Sequence, residues 1–141
     1  MAVTISLYNH TAKLFADGSN AVGDTYKVML CTALTFNAAN TTVSGVTKTE
    51  VANGNGYTTG GPSLTGVTVT TVTTNDAAFD ANDITLTASG GSITASYGLL
   101  YNSTDSTPLA VIDFGGSESA GDGTDFKIVW NASGIFTFTV A

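Results

Sequence analysis

The sequence predicts an all-β protein, an antiparallel β-sandwich of jelly-roll type with about eight strands and one or two short helical turns. Three observations carry this expectation. Residues 92–140 fall into four apolar runs of strand length, rich in Val, Ile, Thr, Tyr, Phe and Trp and separated by turn residues. Apolar residues recur at every second position, as in Phe126, Ile128 and Trp130 or Phe136, Phe138 and Val140, so each run can bury one face. No crossover helices and no repeat of fixed period interrupt the runs, which argues against a parallel α/β sheet. An eight-stranded closed barrel is the competing architecture.

The elements follow in order. Residues 3–7 alternate weakly and suit a short strand or an extended arm covering residues 1–8. Residues 9–16 form the best short helix, with Asn9 as its cap and Leu14 and Phe15 turned inward, ending at Asp17-Gly18-Ser19-Asn20. In the strand 25–32, Tyr26, Val28 and Leu30 point one way and Lys27, Met29 and Cys31 the other; two fairly apolar faces imply a central strand. Thr47 and Glu50 have capping-box spacing and predict one helical turn, broken by Asn53-Gly54-Asn55-Gly56. Residues 64–74 read as a strand in which Val67 and Val69 share a face and Val72 does not, so a bulge is expected near Thr70 or Thr71. Residues 84–89 and 92–101 flank Gly90-Gly91, a hairpin signal. In the second arm Ile93, Ala95, Tyr97, Leu99 and Tyr101 form one stripe. Residues 109–114 are apolar on both faces except for Asp113, and residues 115–124 read as a polar loop. Asn131-Ala132-Ser133-Gly134 is a turn before the last strand.

A chain of 141 residues is most simply one domain, and at that size roughly 68–70% of the unfolded surface can be buried without disulfides or metals. The lone Cys31 lies in an apolar run and reads as a buried, inert thiol. Charge is scarce: four Lys or Arg against eleven Asp or Glu make 11% of the chain and a net charge of −7, where about 25% charged residues is usual. So few basic residues leave no footprint for nucleic acid or an anionic membrane. The opening MAVTISLYNH lacks a basic region and a long apolar core, so no signal peptide is expected.

Chemistry-bearing residues are sparse, and each has a plainer reading. His10 has only Asn9, Thr11 and Lys13 as neighbours, which suits a surface or capping role. Glu118, Asp122 and Asp125 lie in one Gly/Ser-rich stretch, but their spacing is not that of an EF-hand, and solvated loop carboxylates are commoner than calcium ligands. Asp76, Asp80 and Asp83 could suggest a glycosidase pair, although a strand-entry loop capped by Asp and Asn explains them as well. Trp130, Tyr97, Tyr101 and Phe126 could stack a sugar, but their alternate spacing reads as core. No nucleophile–base pair or metal-ligand spacing stands out, so no enzyme and no cofactor are expected.

Three stretches carry a family resemblance. They are Gly54-Asn55-Gly56-Tyr57-Thr58-Thr59-Gly60-Gly61 followed by Leu64-Thr65; Tyr97 to Tyr101 with Thr107-Pro108-Leu109 to Phe114-Gly115; and Asp125-Phe126 with Trp130-Asn131-Ala132-Ser133-Gly134-Ile135-Phe136. In this order they resemble small virion structural proteins of tailed bacteriophages, particularly the decoration (cement) proteins of the head; related sequences also occur as tail or fibre proteins. The resemblance implies a self-associating jelly-roll-like domain, often a homodimer, that clamps major capsid (coat) proteins on the outer capsid surface after assembly in the host cytoplasm. A carbohydrate-binding β-sandwich module is the expectation from a different class. For the contact surface the sequence offers the N-terminal segment, with Val3, Ile5, Leu7 and Tyr8, and the loop 57–64, with Tyr57, Thr58, Pro62 and Leu64. The first is partly apolar without a hairpin partner, and the second combines an aromatic, a proline and glycines that allow close backbone approach.

Overall fold

The computed structural model describes residues 3–72 and 76–139. It shows an all-β antiparallel sandwich, the predicted class, built from ten strands where about eight were expected. In chain order they are β1 (Thr4–Leu7), β2 (Tyr26–Thr35), β3 (Thr47–Glu50), β4 (Thr68–Thr71), β5 (Asp76–Asp80), β6 (Ile84–Thr87), β7 (Ile93–Asn102), β8 (Thr107–Ala120), β9 (Asp125–Ile128) and β10 (Phe136–Thr139), with one helix, α1 (Thr11–Ala16). A five-stranded sheet runs β1-β8-β7-β2-β3, and the second layer is a three-stranded sheet β10-β5-β4 with a two-stranded sheet β6-β9.

The main core lies between these layers. Tyr26, Val28 and Leu30 from β2 and Ala110, Ile112 and Phe114 from β8 meet Phe79, Phe126, Ile128, Trp130 and Phe136. Phe79 is fully buried and stacks on Phe136 at 5.0 Å, and Phe15 of α1 closes the aromatic cluster edge-on at 5.4 Å from Phe79. The opposite face of the five-stranded sheet carries a second cluster of Tyr8, Met29, Cys31, Leu99, Tyr101 and Val111. Chain 36–46 folds over this cluster: Val46 belongs to it, Phe36 packs on Tyr8 at 5.1 Å, and the Asn9 N–H donates to Ala38 O. Both faces of β2 are therefore buried, as its sequence predicted.

Several local expectations are corrected. His10, not Asn9, is the cap residue of α1, and its side chain makes no cap bond; its Nε2 meets Pro108 O at 2.7 Å instead. Thr47 to Glu50 is a strand, because Glu50 turns its carboxylate to Tyr57 and Gly60 rather than back on its own chain, and the segment pairs with β2. The helical turn sits just before it, at Val43–Gly45, where Thr42 Oγ1 accepts the Gly45 N–H. Strand β4 is only four residues long and pairs with β5 without a register shift, so no bulge is present there. The Asp76–Asp80 segment is a strand rather than a loop. The end of the expected strand 64–74 and the inward Val140 lie outside the described residues.

The Gly90-Gly91 pair does not make a hairpin. Strand β6 pairs with β9, and β7 pairs with β2 and β8. The glycines carry the chain from one layer to the other, held by Asp122 Oδ1, which accepts the Gly90 N–H. Strand β8 also continues through the expected polar loop to Ala120. It does so by a bulge: Ala95 faces Glu118 and Tyr97 faces Asp113, so Ser96 of β7 opposes four residues of β8. Gly115 and Gly116, with φ of 78° and 158°, allow that excursion. The bulge also splits the predicted β7 stripe. Ile93 and Ala95 face the main core, whereas Tyr97, Leu99 and Tyr101 face the second cluster.

Replacing Phe79 with Ala removes a buried ring at the centre of this cluster. Denaturant unfolding is expected to show a loss of about 3–5 kcal/mol; a loss under about 1 kcal/mol would mean the aromatic cluster does not anchor the two layers.

Candidate functional site: an apolar groove between two strand edges

The sandwich is open on one side because β8 has fourteen residues and its outer neighbour β1 has four. Among the described residues, pairing between them stops at Thr4–Asp113, and the half of β8 beyond Asp113 has β7 on one side and no strand on the other. A groove of about 740 Å³ lies there. Ile112, Phe114, Phe126, Ile128, Trp130 and Ile135 form its apolar lining, with Val3 and Ile5 on one lip and Val129 on the other. Val3, Ile5 and Val129 are 59%, 36% and 70% exposed and belong to the few large apolar side chains on the surface of the described residues. Their convergence on one groove sets them apart from singly scattered surface apolar residues.

Among the described residues, both lips carry unpaired backbone. The Tyr8 N–H donates to Leu109 O, which fixes the hydrogen-bonding phase of the β1–β8 pair. With bonded and non-bonded pairs alternating, the Ile5 and Leu7 N–H and C=O groups point away from β8, to the free edge. On the far lip the Ala88 N–H donates to Thr124 O, so the outward backbone groups of β9 belong to Asp125 and Lys127. Asp125 is engaged by Thr87 Oγ1 at 2.8 Å and by Lys127 at 3.6 Å. Glu118, also at the groove, has an exposed side chain that makes no hydrogen bond or ion pair among the described residues.

The predicted contact residues divide. Val3 and Ile5 line the groove, and β1 is a member of the sheet rather than a free arm. Leu7 packs half-buried against the main core, and Tyr8 is 1% exposed. The loop 57–64 is a brace, not an open contact surface. Tyr57 is 2% exposed; its hydroxyl donates to Glu50 Oε1 at 2.7 Å and accepts the Leu30 N–H at 3.1 Å. Leu64 is also buried, and its N–H donates to Tyr26 O, while Pro62 O accepts the Val28 N–H. The loop thus continues along the edge of β2 below β3. Gly61 passes so close that an added Cβ would strike Val28 O, and its φ is 80°. Thr58 is exposed at the turn, with Pro62 half-buried beside it. Val129 went unnoticed in the sequence. The available signal was an apolar residue at an outward position between the inward Ile128 and Trp130.

The other candidates disperse. Asp122 holds Gly90, Asp125 holds Thr87, and Glu118 stands apart at the groove. Asp83 Oδ1 accepts the Trp130 N–H at 2.9 Å, and Asp76 and Asp80 sit at the two ends of β5. Among the described residues no group of three or more His, Cys, Asp or Glu is placed to hold a metal ion, and no helix is long and apolar enough to cross a membrane. Trp130 and Phe126 face the main core whereas Tyr97 and Tyr101 face the second cluster, so the four aromatics share no platform.

Burial governs the acid–base behaviour. It pushes the Cys31 thiol from 9.0 up to about 12, helped by the Glu50 charge, and the Tyr8 hydroxyl from 10.0 to about 12. Tyr26, Tyr57 and Tyr101 move in the same direction, Tyr57 also because its hydrogen bond to Glu50 favours the protonated phenol. No protein-family model, no curated protein and no solved structure matches the chain.

Two outcomes are expected. Tyr57→Phe leaves Glu50 and the Leu30 N–H each short of a buried partner and lowers stability by about 1–3 kcal/mol; an unchanged denaturation midpoint would show the brace to be idle. The folded chain keeps protons on Tyr8 and Cys31 that the unfolded chain releases near pH 10 and 9. The stability they contribute is therefore complete below about pH 9 and lost as pH rises toward 12. Denaturation midpoints measured from pH 7 to 12 should be level at first and then fall; a midpoint that rises above pH 9 would contradict this.

Proposed function

We propose that the protein is a structural component of a tailed-bacteriophage virion, one that decorates the outer capsid shell and cements it by binding across neighbouring coat subunits. The observation that carries this reading is the groove. An apolar cleft flanked by unpaired strand edges suits lasting attachment to another protein better than chemistry on a small substrate. The resemblance of the three sequence stretches supplies the class of partner. The carbohydrate-module alternative loses its main support, because Trp130, Tyr101 and Phe126 are buried.

The reading includes a homodimer. Strand β4 is an edge strand, its residues are exposed, and neither charge nor proline guards it; Val69 within it and Val72 just past its end are 39% and 45% exposed. Two copies joined along β4 leave both grooves free, so one dimer can engage two coat subunits. Modest contacts then add through effective concentration, and a protein that binds only the assembled shell stabilises it by mass action. Attachment through apolar and backbone contacts should depend weakly on salt.

Heating decorated and bare shells side by side tests the function, with decorated shells opening at the higher temperature. Equal opening temperatures, or the protein found on tails, would replace the decoration reading with the tail or fibre one. For the dimer, sedimentation at micromolar concentration should show a two-chain species that Thr70→Lys converts to monomer; monomer alone in the parent protein would remove β4 as the dimer edge.

A further inference from the structure

We infer that the groove takes up one extended segment of a different protein, apolar at alternate positions and carrying Lys or Arg where it passes Glu118. This deepens the assembly reading above and rests on it. Strand addition is indicated by the backbone. Beyond Asp113, on the side of β8 away from β7, no strand pairs with it among the described residues. A strand laid there extends the sheet, and every second side chain drops onto the apolar floor between Phe114 and Trp130.

Charge selects the occupant. Glu118 is unpartnered, and Lys127 opposite is already paired with Asp125. A second copy of this chain brings no free cation on an exposed strand. Lys13 is tied to Asp17, Lys48 donates to Val43 O and Val46 O, Lys127 is in its ion pair, and Lys27 is half-buried on β2 beside Gly60 and Tyr101. Each copy also carries a net charge of −7, which disfavours seating one acidic chain in the groove of another. A basic, alternating apolar strand from a different chain satisfies both the floor and the rim.

The protein carries its own reporter, since Trp130 is its only tryptophan and lines the groove. The full chain is titrated with a capped eight-residue peptide alternating Val and Thr with a central Lys, and Trp130 emission is followed. Saturable binding is expected. It should weaken roughly three-fold or more when Glu replaces the Lys in the peptide, the scale of one exposed charge contact. Binding should vanish for a peptide N-methylated along one edge, which cannot add to a sheet. Val129→Asp should abolish binding while leaving the near-ultraviolet circular dichroism and melting unchanged. Glu118→Gln should erase the preference for Lys over Glu. Absence of any peptide binding, equal binding of the N-methylated peptide, or equal binding of the Lys and Glu peptides would overturn the inference. So would a dimer that Val129→Asp dissociates, since a second copy would then be the occupant. Shells that are stabilised by a protein whose groove takes no peptide would overturn this inference alone. Peptide binding by a protein that never joins a particle would overturn the assembly reading instead.

Discussion

The architecture depends on the length of β8. Its fourteen residues form the spine of the five-stranded sheet, and its first half is buried on both faces. One face builds the main core with Phe79, Phe126 and Phe136, and the other builds the second cluster with Tyr8 and Leu99. Among the described residues no other strand is as long as β8. β7 matches it only by way of the bulge at Gly115-Gly116, and β1 covers four residues of the opposite edge. The groove is what remains of β8 after β1 ends. A backbone edge left open over an apolar floor is a cost in an isolated molecule, because both the hydrogen-bonding groups and the side chains stay in water. The proposed occupant would recover that cost by pairing the edge and covering the floor.

The sequence revealed the parts that depend on local alternation. The inward sets Tyr26, Val28, Leu30 and Phe126, Ile128, Trp130 were legible because each keeps an unbroken period of two, Trp130 holding the phase of β9 just past its end. Elements set by distant partners were not legible. The two glycines at 90 and 91 carry the same local signal whether they join paired strands or carry a chain between layers, and only the partnership of β6 with β9 decides between them. The capping-box spacing of Thr47 and Glu50 failed for a similar reason. Glu50 is claimed by Tyr57 and Gly60 from across the molecule, and β2 offers a ladder that a helical turn would waste.

The site was half visible. Val3 and Ile5 stood out as apolar residues near the N-terminus with no hairpin partner, and they do line the groove. Tyr57 and Leu64 misled because an aromatic in a Gly-rich loop looks exposed. Here the glycines serve the opposite purpose: they let the loop press against β2, so that the tyrosine is driven inward. Glu118 is solvated, as read from the sequence, but it lies on a strand rather than in a loop, since nothing local announces that β8 runs on past Gly116. The scarcity of charge now has a structural meaning. With so few charged groups, one unpartnered carboxylate at an apolar groove is what the proposed strand entry uses for selection.

The account stands on the groove being the attachment face. Imaging particles assembled with and without the protein, at a resolution that orients the domain, tests this most directly. The account predicts added density on the outer shell, with the β1 and β9 edges turned toward the coat and an extended coat segment lying beside β8. Density on the shell with that face turned to solvent, or density confined to the tail, would contradict it.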